Sequence, residues 1–257
     1  MAARLNRKQQ PPALYLYGIT KHSATIGAIE GVGGKTAEMV PCAGLVCWVG
    51  RVGREEFADN LSANMENLDW LTDASVCHQK VVAAIAEVTE ILPARFGTVF
   101  SSDASLESHI REKKKILEAD LRKIKGCDEW GVKVFSVPRR PSVVATPAKT
   151  GRDYLQAKAA LRIQRPAATD DGQLADFSNQ LKRIAVDIAE VGKVSQGQRG
   201  LQWQTSVLLK RQELKKFRAL LKKTSASWSD EKRIESSGPW PPYSFVSRIP
   251  RGEGSGA

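Results

Sequence analysis

The chain of 257 residues has no apolar run close to the roughly 20 residues that a membrane-spanning helix requires. Its first segment, "MAARLNRKQQPPA", carries cations without an apolar stretch behind them, so no secretory leader is expected. Cysteine is sparse. Cys42, Cys47, Cys77 and Cys127 are too few and too irregularly spaced for a disulfide framework, and neither C-x-x-C nor a matching histidine pair appears. Cys77 and His78 are adjacent, but neighbours on a helix point about 100° apart and cannot work as nucleophile and base. There is no internal repeat. These absences leave a soluble, cytoplasmic protein with reduced thiols, for which no metal, cofactor or catalytic set is expected.

A hydrophobic content of 42% is enough for one large core or two smaller ones. The net charge of +11 is unevenly placed. Residues 1–128 hold 16 basic and 16 acidic side chains, whereas residues 129–257 hold 23 and 12, so the excess belongs to the second half. That asymmetry predicts two units with different surfaces.

"ALYLYGIT" (13–20) reads as a strand, "CAGLVCWVGRV" (42–52) as a central strand, and "REEFADNLSANM" as a short helix. A longer helix is expected from Thr72 as N-cap, with Ala74, Cys77, Val81, Ile85 and Val88 on one face. Pro93 ends it, and "ARFGTVF" reads as the next strand, an odd place for the cation Arg95. "SSDASLESHIREKKKILEADLRKIKG" carries every mark of a helix: a serine cap, the stripe Leu106, Ile110, Leu117, Leu121 and Ile124, and Gly126 as terminator. "EWGVKVFSV" follows as a strand and "PRRPSVVATPAKTG" as a linker. Helices are expected over "GRDYLQAKAALRIQ" and "DGQLADFSNQLKRIAVDIAEVGK", a strand over "GLQWQTSVLLKR", a basic helix over "QELKKFRALLKKTSASW" and a proline-led strand over "GPWPPYSFVS". Strands separated by amphipathic helices predict an α+β architecture with helices on one face of each sheet.

Three stretches invite a functional reading. "GVGGKT" (31–36) ends like a phosphate-binding loop, but the spacing demands glycine where Ile29 stands, and an extended segment follows instead of a helix. The basic helix places Lys215, Lys216, Lys222 and Lys223 beside Leu214, Phe217, Leu220 and Leu221. Such a face could follow a phosphate backbone, or could simply be the solvated side of a packed helix. Arg95, between Ala94 and Phe96, is read as a structural or partner-docking cation.

Together, "LYLYGIT", "NLDWLTDASVCHQKVVAAIAEVTEILPARFGTVFSS" with His78 in its helix, "LEADLRKIKGCDEWGVKVF" and "GPWPPYSFV" resemble the gas vesicle protein F/L (GvpL/GvpF) family over nearly the whole chain. The resemblance implies an N-terminal ferredoxin-like unit over 13–101 and a related C-terminal α+β unit over 102–249. It also implies a minor or accessory role in gas vesicles, through binding of the small hydrophobic major shell protein and other accessory proteins, and no catalytic residues. Candidate partner-binding or structural residues are then Arg95, His78, Lys215, Lys216, Lys222 and Lys223. The alternative is a nucleic-acid-binding module using the basic half, which lacks the K/R-G-F/Y-G/A-F-V-x-F/Y signature.

Overall fold

A computed structural model describes residues 11–137, 171–190, 198–228 and 231–247. The helix expected over "GRDYLQAKAALRIQ" and the linker at 138–150 lie outside them. The chain forms two compact units that part between Glu129 and Trp130 and again between Gly238 and Pro239, so the chain end returns to the first unit.

The first unit is built on β1 (Ala13–Thr20), every residue of which is buried. β2 (Glu38–Cys42) and β3 (Leu45–Val52) form a hairpin beside it. The apolar run 42–52 is thus not one strand. Ala43 and Gly44 take φ of 50° and 83°, the left-handed pair that a two-residue hairpin turn demands. After a widened helical turn at Glu55–Asp59 and a short helix α1 (Leu61–Asn64) comes α2 (Leu68–Val88). Asn67, not Thr72, caps α2, its Oδ1 accepting from the amides of Asp69 (3.1 Å) and Trp70 (3.2 Å). Thr72 donates back to the Leu68 carbonyl at 2.7 Å. Val88, expected inside, is exposed, and His78 takes the buried face instead.

β4 (Ile91–Pro93) and β5 (Val99–Phe100) both pair antiparallel with β1 and are separated by a turn. α3 (Asp103–Ile124) follows the expected reading. Ser102 and Ser105 cap each other's amides, and all five stripe residues are buried.

Helices cover both faces of this sheet. Tyr15 is paired with Val99, and both pack in one cluster with Val81 and Ile85 of α2. Leu14 is paired with Phe100, whose ring meets His109 of α3 at 5.5 Å. Adjacent strand residues point to opposite faces, so α2 and α3 lie on opposite sides. The strand order β2-β3-β1-β4 is the one a ferredoxin-like unit has, with a loop in place of the first helix, and α3 adds a layer on the other face, so that the compact unit runs on to Glu129.

The second unit uses β6 (Cys127–Ser136), α4 (Asp171–Ile184), β7 (Asp187–Glu190), β8 (Leu201–Lys210), α5 (Leu214–Ser227) and β9 (Lys232–Trp240). The spatial order β7-β8-β6-β9 with this β-α-β-β-α-β sequence is that of a ferredoxin-like unit. Trp130, Val132 and Val134 of β6 pack with Phe177 and Leu181 of α4 and Phe217 of α5. Two readings change here. Residues 187–190 are strand rather than helix, because pairing with Thr205–Leu208 of β8 overrides a weak helical pattern. The last strand is β9, which contains Pro239 and ends before Pro241 and Pro242, so the segment expected as a proline-led strand lies mostly beyond it.

Candidate functional site

"GVGGKT" is a packing turn. Gly31 lies so close to the Tyr17 hydroxyl that a β-carbon there would collide with it, and the Val32 amide donates to that oxygen at 3.0 Å. Burial pushes the Tyr17 phenol up to about 12, against the opposing pull of that amide.

His78 is 1% exposed and lies inside a set of rings. Tyr15, Tyr17, Phe96 and Tyr243 have centroids 5.7, 5.8, 5.9 and 6.5 Å from its own. Tyr15 accepts from the Gly97 amide at 3.1 Å, which leaves its hydroxyl proton for His78 Nδ1 at 3.0 Å. The neutral tautomer that results carries its proton on Nε2, 3.2 Å from the Tyr243 hydroxyl. Tyr243 in turn donates to Gln79 Oε1 at 3.4 Å. Burial pushes the His78 imidazole down to about 4, with the Ala94 carbonyl opposing, and burial raises the Tyr243 phenol. A neutral, hydrogen-bonded chain in an apolar setting suits packing rather than proton transfer near pH 7.

The segment that carries Tyr243 is held at further points within the first unit. The Ser244 amide and hydroxyl donate to the buried Glu129 carboxylate at 2.9 and 2.6 Å. The Ser247 amide donates to Asp120 Oδ2 at 2.7 Å, and Lys123 Nζ stands 5.7 Å from the Phe245 ring centre.

Arg95 is not on a strand. It opens the turn between β4 and β5, where its carbonyl accepts from the Thr98 amide (3.1 Å) and hydroxyl (2.8 Å), and Gly97 takes φ of 79°. Its side chain is exposed and, among the described residues, makes no ion pair. The cation is therefore compatible with the sequence around it because it never enters the core. Phe96 next to it touches the His78 ring, so Arg95 and His78 border one region.

The four lysines are all exposed on α5 in the second unit, opposite the buried Phe217, with Lys216 paired to Glu213 at 2.8 Å. An open groove of about 500 Å³ beside α4 is lined by Leu174, Ser178, Asn179, Lys182 and Trp203 among others. Among the described residues no three metal-ligating side chains cluster, and no helix is long and apolar enough to cross a membrane. Sequence reasoning missed Tyr15, Gln79, Glu129 and Tyr243 as partners in the first unit. The quoted "GPWPPYSFV" was the available signal, but nothing local shows what its tyrosine meets.

The fold and the site together define an α+β protein of two units in which the conspicuous polar groups serve packing and anchoring. Residues 13–247 match the family of the gas vesicle synthesis protein GvpL/GvpF, and the chain belongs to that family, one of gas vesicle accessory proteins. It is similar to gas vesicle protein L of Streptomyces sp. (strain CB03234), 31% identical over 252 residues that cover 90% of this chain and 92% of that protein. Gas vesicle protein F of Haloferax mediterranei is 24% identical over 241 residues, covering 91% and 92%. The crystal structure of GvpF from Anabaena sp. PCC7120 has the same fold with a TM-score of 0.68 at 16% identity, covering 93% of this chain and 99% of that one. GvpF from Microcystis aeruginosa gives 0.65 at 19% identity, covering 91% and 99%.

Proposed function

We propose that this protein acts in the cytoplasm and at the gas vesicle as a non-enzymatic assembly factor that binds the major shell protein, limits its aggregation and supports nucleation of the vesicle. The observation that carries this reading is the family match from residue 13 to 247, which takes in both units and the returning chain end. The small hydrophobic shell protein is an aggregation hazard until it is incorporated, and a partner that covers apolar surface lowers the concentration of the free form. Arg95 and the α5 lysines are the proposed docking cations, and His78 holds the first unit in shape.

The test is a pull-down on the tagged full chain from cells making gas vesicles, with light scattering of purified shell protein at increasing ratios of this protein. Recovery of shell protein and a dose-dependent delay in scattering are expected. Recovery of nucleic acid without shell protein, or an unchanged scattering trace, would overturn the reading.

A further inference from the structure

Residues 241–247 are held in the first unit as a ligand is held. β9 ends at Trp240, and Pro241 and Pro242 offer no amide donors with which to continue a ladder. The segment closes on itself, with the Tyr243 amide donating to the Pro241 carbonyl at 2.8 Å and the Phe245 amide to that of Pro242 at 3.1 Å. Its outward contacts are met by side chains: the Tyr243 hydroxyl oxygen accepts from Nε2 of His78, and the Ser244 and Ser247 donors go to the carboxylates of Glu129 and Asp120. Phe245 enters with only 5% of its surface exposed.

The receiving groups are costly to leave empty. Glu129 is 7% exposed and, among the described residues, has no cationic partner, so its two oxygens are satisfied by the Ser244 amide and hydroxyl. A buried carboxylate accepting an amide and a hydroxyl, next to a slot for an aromatic ring, is a peptide-recognition arrangement. The two prolines limit the free segment's conformations and lower the entropy cost of docking.

We propose that the surface formed by His78, Asp120 and Glu129 in the first unit is a peptide-binding site, that residues 241–247 occupy it within their own chain, and that it takes the same segment from a second copy of this chain. The second copy follows from complementarity: an identical segment fits without any new contact, and exchange of an identical element is a low-cost route to a dimer. Attachment through the chain gives the resident segment an effective concentration on the order of millimolar. The dilute protein is therefore closed on itself, and exchange grows as copies are concentrated.

The probe is a fluorescein-labelled peptide GPWPPYSFVS, residues 238–247, titrated against the full chain and followed by anisotropy. A full chain with Tyr243→Ala and Ser244→Ala should bind it saturably and at least tenfold more tightly than the wild type, whose site is filled. A peptide with alanine in place of its tyrosine and serine should bind at least tenfold more weakly. If the double variant does not fold, full-chain Tyr243→Phe replaces it, and it should bind the natural peptide several-fold more tightly than the wild type. Equal binding of the two peptides, or no gain over the wild type in a folded variant, would overturn the site. Light scattering on the wild type should show a dimer fraction that rises with concentration and falls with excess peptide. A monomer at every concentration would overturn the exchange between copies.

Discussion

Tyr243 sets its hydroxyl 3.2 Å from Nε2 of His78, a residue 165 positions earlier, and so ties the end of the described chain to the middle of α2. The bond forms within the first unit, since the residues from Pro239 onward belong there. The hydrogen-bond chain Tyr15–His78–Tyr243 is that of a neutral imidazole, which accepts at Nδ1 and donates at Nε2, and burial of the ring disfavours its charged form.

This predicts a pH dependence of stability. The folded imidazole titrates at about 4, below the unfolded value near 6.5, so the unfolded chain takes up the proton first as pH falls. The contribution of His78 is full above pH about 6.5 and is lost as pH drops toward 4, about 3 kcal/mol in all. Urea midpoints from pH 7.5 to 4 should show that slope, and His78→Gln should flatten it.

Tyr243→Phe removes a hydroxyl that meets both His78 and Gln79 and should cost about 0.5–1.5 kcal/mol at neutral pH. Phe245→Ala, emptying a buried slot, should cost about 3–5 kcal/mol. Chemical denaturation reads both, and equal costs would contradict the packing described.

Arg95→Ala should change stability by no more than about 0.5 kcal/mol, since an exposed turn residue without an ion pair supports little. A loss of shell-protein binding in this variant, measured beside its thermal midpoint, would assign Arg95 to docking. Unchanged binding would remove it from the docking surface.

Neutralising Lys215, Lys216, Lys222 and Lys223 to Gln should leave stability nearly unchanged and flatten the salt dependence of partner binding. Phe217→Ala, on the opposite side of the same helix and fully buried, should cost about 3–5 kcal/mol. A quadruple variant with wild-type affinity from low to high salt would rule out electrostatic docking through α5.

Gly31→Ala should destabilise by about 1–3 kcal/mol, because the added methyl displaces the Tyr17 ring from beneath the Val32 amide. Gly27→Ala, where a β-carbon meets nothing, is the control and should be near neutral.

The elements the sequence made legible were those whose signals are local. α3 was readable from cap to terminator, because its serine box, five-residue stripe and Gly126 all lie within one continuous segment. β1 was readable as a strand from its alternating aromatic and aliphatic residues and β8 from the glycines that precede it, and the basic outer face of α5 followed from its periodicity. Family membership was readable too, since it rests on motifs quoted in order along the chain. Partner-dependent features were not. Ala94–Thr98 loops out between β4 and β5 because both strands pair with β1, so Arg95 leaves the sheet although its neighbours are strand formers. Residues 187–190 are strand because β8 is there to pair with them. Helices lie on both faces of the first sheet because its central strand is apolar on both, and only three-dimensional packing decides which helix takes which side. Hydrophobic period and capping are properties of a few consecutive residues, whereas pairing, burial and the meeting of His78 with Tyr243 depend on groups brought together from distant parts of the chain.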